Sequence, residues 1–189
     1  KNQPISAFIY TGSCSEYKEK KSKLKESDSV DPLNVYSITK LTAGLLLKKL
    51  AQENNLPVIN LRLFTPYGYY EDGQRLIPHI ILNALRDKKI ELSSPNYVRD
   101  FIFIEDMIDF FLKIIKSKRN YQGEIFNIGS GKQHRIKEVV SIIEKLLGKK
   151  LNVSYGARAS YYQEPKVFVA DNSKAKAAFN WKIKYDFES

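Results

Sequence analysis

The stretch "YSITKLTAGLLLKKLAQENNLPVINLRLFTPYG", Tyr36–Gly68, carries two hydrophobic patterns in succession. From about Asn34 to Asn54 the apolar residues follow a helical spacing, with Leu45, Leu46, Leu47 and Leu50 expected on the buried side. "NNLP" breaks that helix, and "VINLRLF" is a short apolar run of strand type. Helix, breaker and buried strand make up the repeating unit of α/β proteins with mainly parallel sheets. Within the helix, Tyr36 and Lys40 fall one turn apart on one face. Spacing alone does not tell a catalytic pair from an aromatic ring and a solvated amine.

The alternation continues on both sides. Upstream, "ISAFIY" reads as a strand ending in the small polar run "TGSCS", and Asp31-Pro32 marks a turn before the helix. Downstream, "TPYGYYEDGQ" is a loop and "RLIPHIILNALRDKK" a helix that tolerates Pro78 in its first turn. "RDFIFI" is a strand, Glu105-Asp106 starts a further helix, and "GEIFNIGSG" is a strand with a glycine turn. "RIKEVVSIIEKLLG" is an amphipathic helix closed by Gly148, "LNVSYG" a strand, and a short helix begins near Asn172. "GSGKQHR" lacks the Gly-Lys-Ser/Thr ending of a phosphate loop and reads as a strand-to-helix turn.

Composition excludes several classes. At 189 residues and 43% hydrophobic content the chain has material for one good-sized core, or a domain with a lobe. No apolar run approaches the roughly 20 residues of a membrane span, and no secretory leader is recognisable, so a cytoplasmic setting is expected. One cysteine, Cys14, and two distant histidines, His79 and His134, argue against a disulfide or a structural metal. The net charge of +10 comes largely from lysine-rich loops and helix ends with acids interleaved, without a nucleic-acid-binding motif. A nucleic-acid module would require strongly salt-dependent binding. A phosphate-bearing small molecule needs far fewer cations.

Six local patterns in one order carry a family resemblance: "FIYTGSCSEY", "YSITK", "LRLFTPYG" followed by "RLIP", "VRDFIFIED", "EIFNIGSG" and "VADNSKAKAAFNW". Together they resemble the extended short-chain dehydrogenase/reductases, in the group of nucleotide-sugar epimerases and dehydratases. The resemblance implies an α/β fold: the later part of a Rossmann-type parallel sheet with a small α/β substrate-binding lobe. By it, residues 1–66 are the remaining part of the Rossmann-type domain. Residues 67–189 are mainly the substrate lobe, with 97–130 returning partly to the sheet.

The resemblance also implies roles. Tyr36 is the acid/base for a sugar hydroxyl and Lys40 its electrostatic partner, which also holds the ribose of NAD or NADP. A free phenol, with a pKa of about 10, is a poor base near neutrality unless a neighbouring cation favours the phenolate. Ser13 matches the hydroxyl that bonds the reacting sugar oxygen, with Thr11 and Ser15 as alternatives. Phe64 and Pro66 are placed beside the nicotinamide. Thr65 stands where the family often has a substrate-binding asparagine. Arg75, Leu76 and Ile77 wrap the nucleotide, and Arg99 grips its diphosphate unless it pairs with Asp100 instead. Glu164 matches a ribose-binding acid. Three residues earlier the family usually has arginine; here it is Tyr161, with Arg158 nearby as a substitute.

Two departures shape the expected activity. Sugar 4,6-dehydratases carry Asp-Glu after the strand-end hydroxyl, and this chain has Cys14 and Ser15, which argues against a dehydratase. A 4-epimerase or a 4-keto-sugar reductase, such as the CDP-abequose and paratose synthases, remains. The glycine-rich phosphate loop that opens the family's sheet is absent from the sequence. The chain is therefore expected to be a fragment of the full enzyme, inactive alone and binding NAD(H) or NADP(H) weakly. A non-catalytic binding or structural remnant is the reading from another class. A homodimer is expected through the Tyr36/Lys40 helix and the helix after "RLIP", with Leu45 to Leu50 and Ile80 to Leu85 at the interface. Burial within the monomer is the competing explanation for those residues.

Overall fold

The computed structural model describes residues 5–117, 119–158 and 165–188. The chain runs β1 (Phe8–Ser13), a 3-10 turn (Cys14–Glu16), α1 (Val35–Asn54), β2 (Val58–Leu63), β3 (Thr65–Tyr67) and α2 (Leu76–Leu85). It continues with β4 (Ile90–Leu92), β5 (Val98–Arg99), β6 (Phe101–Phe103), α3 (Ile104–Lys116), β7 (Glu124–Ile128) and β8 (His134–Arg135). α4 (Ile136–Leu147), β9 (Val153–Tyr155), β10 (Val167–Phe168) and α5 (Ser173–Phe179) complete it.

The main sheet is β1-β2-β7, all parallel, with Ser13 opposite Leu63 and Leu63 opposite Ile128. Two small parallel pairs, β3–β6 and β4–β9, and the mixed set β10-β5-β8 extend from it. The α/β class with a mainly parallel sheet is as the sequence reads. No helix among the described residues is long and apolar enough to cross a membrane.

Two cores follow from two amphipathic helices. α3 turns Met107, Phe110 and Ile114 onto the main sheet, where they meet Ile59, Leu61, Phe126 and Ile128. α5 and the segment after it return to the same core: Trp181 is buried there, its indole N–H donating to the Asp106 carbonyl at 3.1 Å. The chain beyond residue 170 thus contributes to the core of the main sheet. The second core joins α2 and α4 through Ile80, Ala84, Val139, Val140 and Ile143. Gly148 closes α4 in the left-handed region at φ 65°, the conformation a residue without a Cβ adopts at least cost.

α1 corrects the sequence reading of its buried side. Asn34 caps it, accepting the Ser37 N–H at 2.9 Å, as the polar residue before the apolar run suggests. The buried residues are Ser37, Gly44 and Ala51, seven apart, and not the leucines: Leu45, Leu46 and Leu50 are exposed, Leu46 at 59%. The cause is close approach. A Cβ on Gly44 would stand 2.7 Å from the Asn60 amide nitrogen of β2, so the small-residue stripe is what lets the helix lie on the sheet. In α2, Ile80 and Ala84 are buried while Leu82 and Leu85 are exposed.

Candidate active site

In open α/β sheets ligands bind beyond the carboxyl ends of the parallel strands. Ser13 ends β1 and caps the 3-10 turn, its Oγ accepting the Ser15 N–H at 3.2 Å and lying 2.7 Å from the Ser15 Oγ. α1 is tied to the same strand. The Lys40 ammonium donates to the Thr11 carbonyl at 2.8 Å, two residues before Ser13. The Tyr10 hydroxyl donates back to the Lys40 carbonyl at 2.9 Å. The ammonium lies 5.5 Å from the centre of the Tyr10 ring and 5.8 Å from that of Tyr36. Such distances allow cation–π attraction. Tyr36 is 57% exposed, its ring free to meet a ligand.

β2 runs on into Phe64, Thr65 and Pro66. Thr65 and Pro66 line a cavity of about 410 Å³ together with Arg75, Leu76, Arg99 and Arg158. With Ile77, seven of the residues singled out from sequence are thereby gathered from four separate segments. Arg99 is held in place, its guanidinium donating to the carbonyls of Val98 (2.9 Å) and Lys166 (3.3 Å) and covering the ring of Tyr97. The neighbouring Asp100 points away into the core and accepts from Ser130 N–H, Ser130 hydroxyl, Gly131 N–H and Ala170 N–H. Its carboxylate is thus committed to three backbone N–H groups and one hydroxyl, in place of an ion pair with Arg99.

Phe64 departs from expectation. Its side chain is wholly buried, packed with Tyr17, Leu24, Phe168 and Ala170, and has no surface to offer a nicotinamide. Phe64 falls between β2 and β3 with its ring inward, whereas Thr65, Pro66 and Tyr67 of β3 line the cavity. Glu164 and Tyr161 lie outside the described residues.

Residues 1–129 match the model of the NAD dependent epimerase/dehydratase family. The chain belongs to this family. A UDP-glucose epimerase of Bacillus subtilis, YtcB, itself uncharacterised, is 30% identical over 94% of this chain and 55% of its own length. CDP-abequose synthase of Salmonella muenchen is 35% identical over 53% of this chain and 34% of its own. UDP-glucuronic acid 4-epimerase from Bacillus cereus, solved with UDP-glucuronic acid and NAD, superposes with a TM-score of 0.90. The match is at 30% identity, over 96% of this chain and 58% of that one. The chain thus spans about half the length of the curated relatives it matches.

Within this epimerase/dehydratase framework, the position after Ser13 holds a thiol whose pKa burial pushes up to about 12, so it is a neutral group near neutral pH. The cavity also contains residues that sequence reading passed over. Glu71 and Asp72 stand beside Arg75, and burial raises the Glu71 carboxyl above its ordinary value. The acidic pair of "YYEDGQ" was the available signal. Arg158 enters from the loop after β9, its guanidinium donating to the Gln74 carbonyl at 3.3 Å.

Proposed function

We propose that this chain carries the sugar-handling part of a nicotinamide-dependent nucleotide-sugar 4-epimerase. The observation that supports the reading is the Lys40 ammonium, 5.8 Å from the centre of the Tyr36 ring and bonded to the Thr11 carbonyl near the end of β1, with three arginines around the cavity that follows β2. Arg75, Arg99 and Arg158 supply forked donors suited to a diphosphate. The Ser13 hydroxyl bonds the reacting sugar oxygen. Tyr36 acts as the phenolate: it removes the proton from that oxygen, stands as the neutral phenol in between, and later returns the proton, with the Lys40 ammonium facing the charge that the phenolate carries before and after.

The residues present fit one end of a dinucleotide. An ammonium has three N–H donors. Lys40 uses one on the Thr11 carbonyl and keeps others for ribose hydroxyls. A bound nicotinamide supplies hydride acceptance and donation at the sugar carbon. Pro66 lines the cavity on that side of β2, and Tyr36 presents its exposed ring.

A 4-keto-sugar reductase uses the same three residues in one direction only, and the likeness to CDP-abequose synthase favours it as the second reading. The two differ in product: an epimerase inverts C4 without net redox change, and a reductase consumes reduced nicotinamide.

In the full gene product, Tyr36→Phe is expected to abolish C4 chemistry on UDP-sugars, losing a factor on the order of 100 or more, with an unchanged circular dichroism spectrum. Turnover equal to the unsubstituted protein contradicts the assignment. We also infer self-association through the exposed leucines of α1, since a row of apolar side chains left in water favours a partner surface.

A further inference from the structure

Glu16 has no part in the chemistry just described, yet it is wholly buried, and the side chain of its partner Arg62 is only 4% exposed. One carboxylate oxygen accepts the Arg62 Nε–H at 2.7 Å; the other accepts the backbone N–H of Ser13 at 2.8 Å. Arg62 is on β2, and its guanidinium lies 4.3 Å from the centre of the Tyr17 ring, whose hydroxyl donates to Asn127 of β7 at 2.7 Å. The carboxylate therefore links the last residue of β1 to β2, and Arg62 and Tyr17 carry the contact on to β7. There is no slack around it. A Cβ at Gly12 would stand 2.7 Å from the Glu16 oxygen and 2.6 Å from the Asn60 side-chain oxygen.

A buried ion pair is a poor device for stability alone, because desolvating two charges offsets most of their attraction. It is a good device for fixing an orientation, because charge-assisted hydrogen bonds are short and directional. We propose that the Glu16–Arg62 pair is a positioning element that sets the direction of the Ser13 hydroxyl toward the reacting sugar oxygen. The Ser13 N–H held by Glu16 and the Ser13 Oγ held by Ser15 N–H fix both ends of that residue. The inference rests on the reading of Ser13 given above and extends it to two residues that touch neither sugar nor nicotinamide.

The test is kinetic and uses the full gene product with UDP-glucose and UDP-glucuronic acid. The double variant Glu16→Gln/Arg62→Gln keeps the shapes and removes both charges. Gly12→Ala keeps both charges and crowds the carboxylate. Each is expected to lower kcat on the order of 10- to 100-fold with KM little changed, as misplacement of a reacting group does. Adding Ser13→Ala to either variant should cost no more than Ser13→Ala alone, because Glu16 acts through that residue. Turnover by the unsubstituted protein with full kcat in both variants overturns the proposal alone, as does strict additivity with Ser13→Ala. Absence of any turnover in the unsubstituted protein overturns the functional reading and the proposal together.

Discussion

The Asp100 carboxylate accepts the N–H of Ala170 at 3.0 Å across seventy residues of chain. Its remaining contacts, to Ser130 and Gly131, hold the turn after β7. One buried side chain thus joins three segments around Arg99: its own strand pair, the end of the main sheet and the chain leading into α5. Asp100→Asn keeps the shape but replaces one acceptor oxygen by a donor facing N–H groups. Hydrogen bonds to charged groups contribute about 1.5–3 kcal/mol each. A loss of about 3 kcal/mol is expected, a fall in Tm of roughly 6–12 °C for a chain of this size. Calorimetry of the variant checks it, and an unchanged Tm would show that the junction is not held by this residue.

Alkaline pH should weaken the fold through buried acids, two of them just beyond the end of β1. Burial pushes the Cys14 thiol from 9.0 and the Tyr17 phenol from 10.0 each up to about 12. Both are acids whose neutral form the folded state favours. The unfolded chain therefore loses protons at a pH where the folded chain keeps them. Stability is fully present below about pH 9 and declines as pH rises toward about 12. Urea unfolding at about pH 8 and about pH 10.5 should show the drop, and Tyr17→Phe with Cys14→Ala should reduce it, the Tyr67 phenol, which burial also pushes up to about 12, keeping part of it. A pH-independent midpoint across that window would refute the assignment.

The exposed face of α1 makes a prediction about assembly. Leu45, Leu46 and Leu50 present apolar surface, with Leu82 and Leu85 of α2 also exposed. Light scattering should give a dimer mass, and Leu46→Lys should shift it to the monomer without loss of helicity. A monomer for the unsubstituted chain would remove self-association from the account.

Much of the fold was legible because its signals are local. Asn34 before an apolar run marks the start of α1, "NNLP" its end, and Gly148 the end of α4. What escaped was set by tertiary packing. The leucines of α1 dominate its composition, but the Ser37, Gly44 and Ala51 stripe decides which side approaches Asn60. Strands of two or three residues such as β8 and β10 carry no period to read. Thr65, Pro66, Arg75, Leu76, Ile77, Arg99 and Arg158 are singled out by motif order, and one cavity gathers them. Phe64 lies in the same motif yet faces the core, because tertiary packing with Tyr17, Leu24, Phe168 and Ala170 claims its ring. Nothing local in "SCSEYKEK" marks Glu16 as buried, and only the fold brings Arg62 to it.

The central claim is that the cavity between β3, α2 and β5 holds a nucleotide sugar by its diphosphate. Isothermal titration of this chain with UDP-glucose and with UDP-glucuronic acid tests it most directly, comparing the unsubstituted protein with Arg99→Ala. Saturable one-to-one binding, weakened on the order of 10- to 100-fold by the loss of the arginine fork, is the predicted result. No saturable binding of either sugar nucleotide, or equal affinity in Arg99→Ala, would contradict the account.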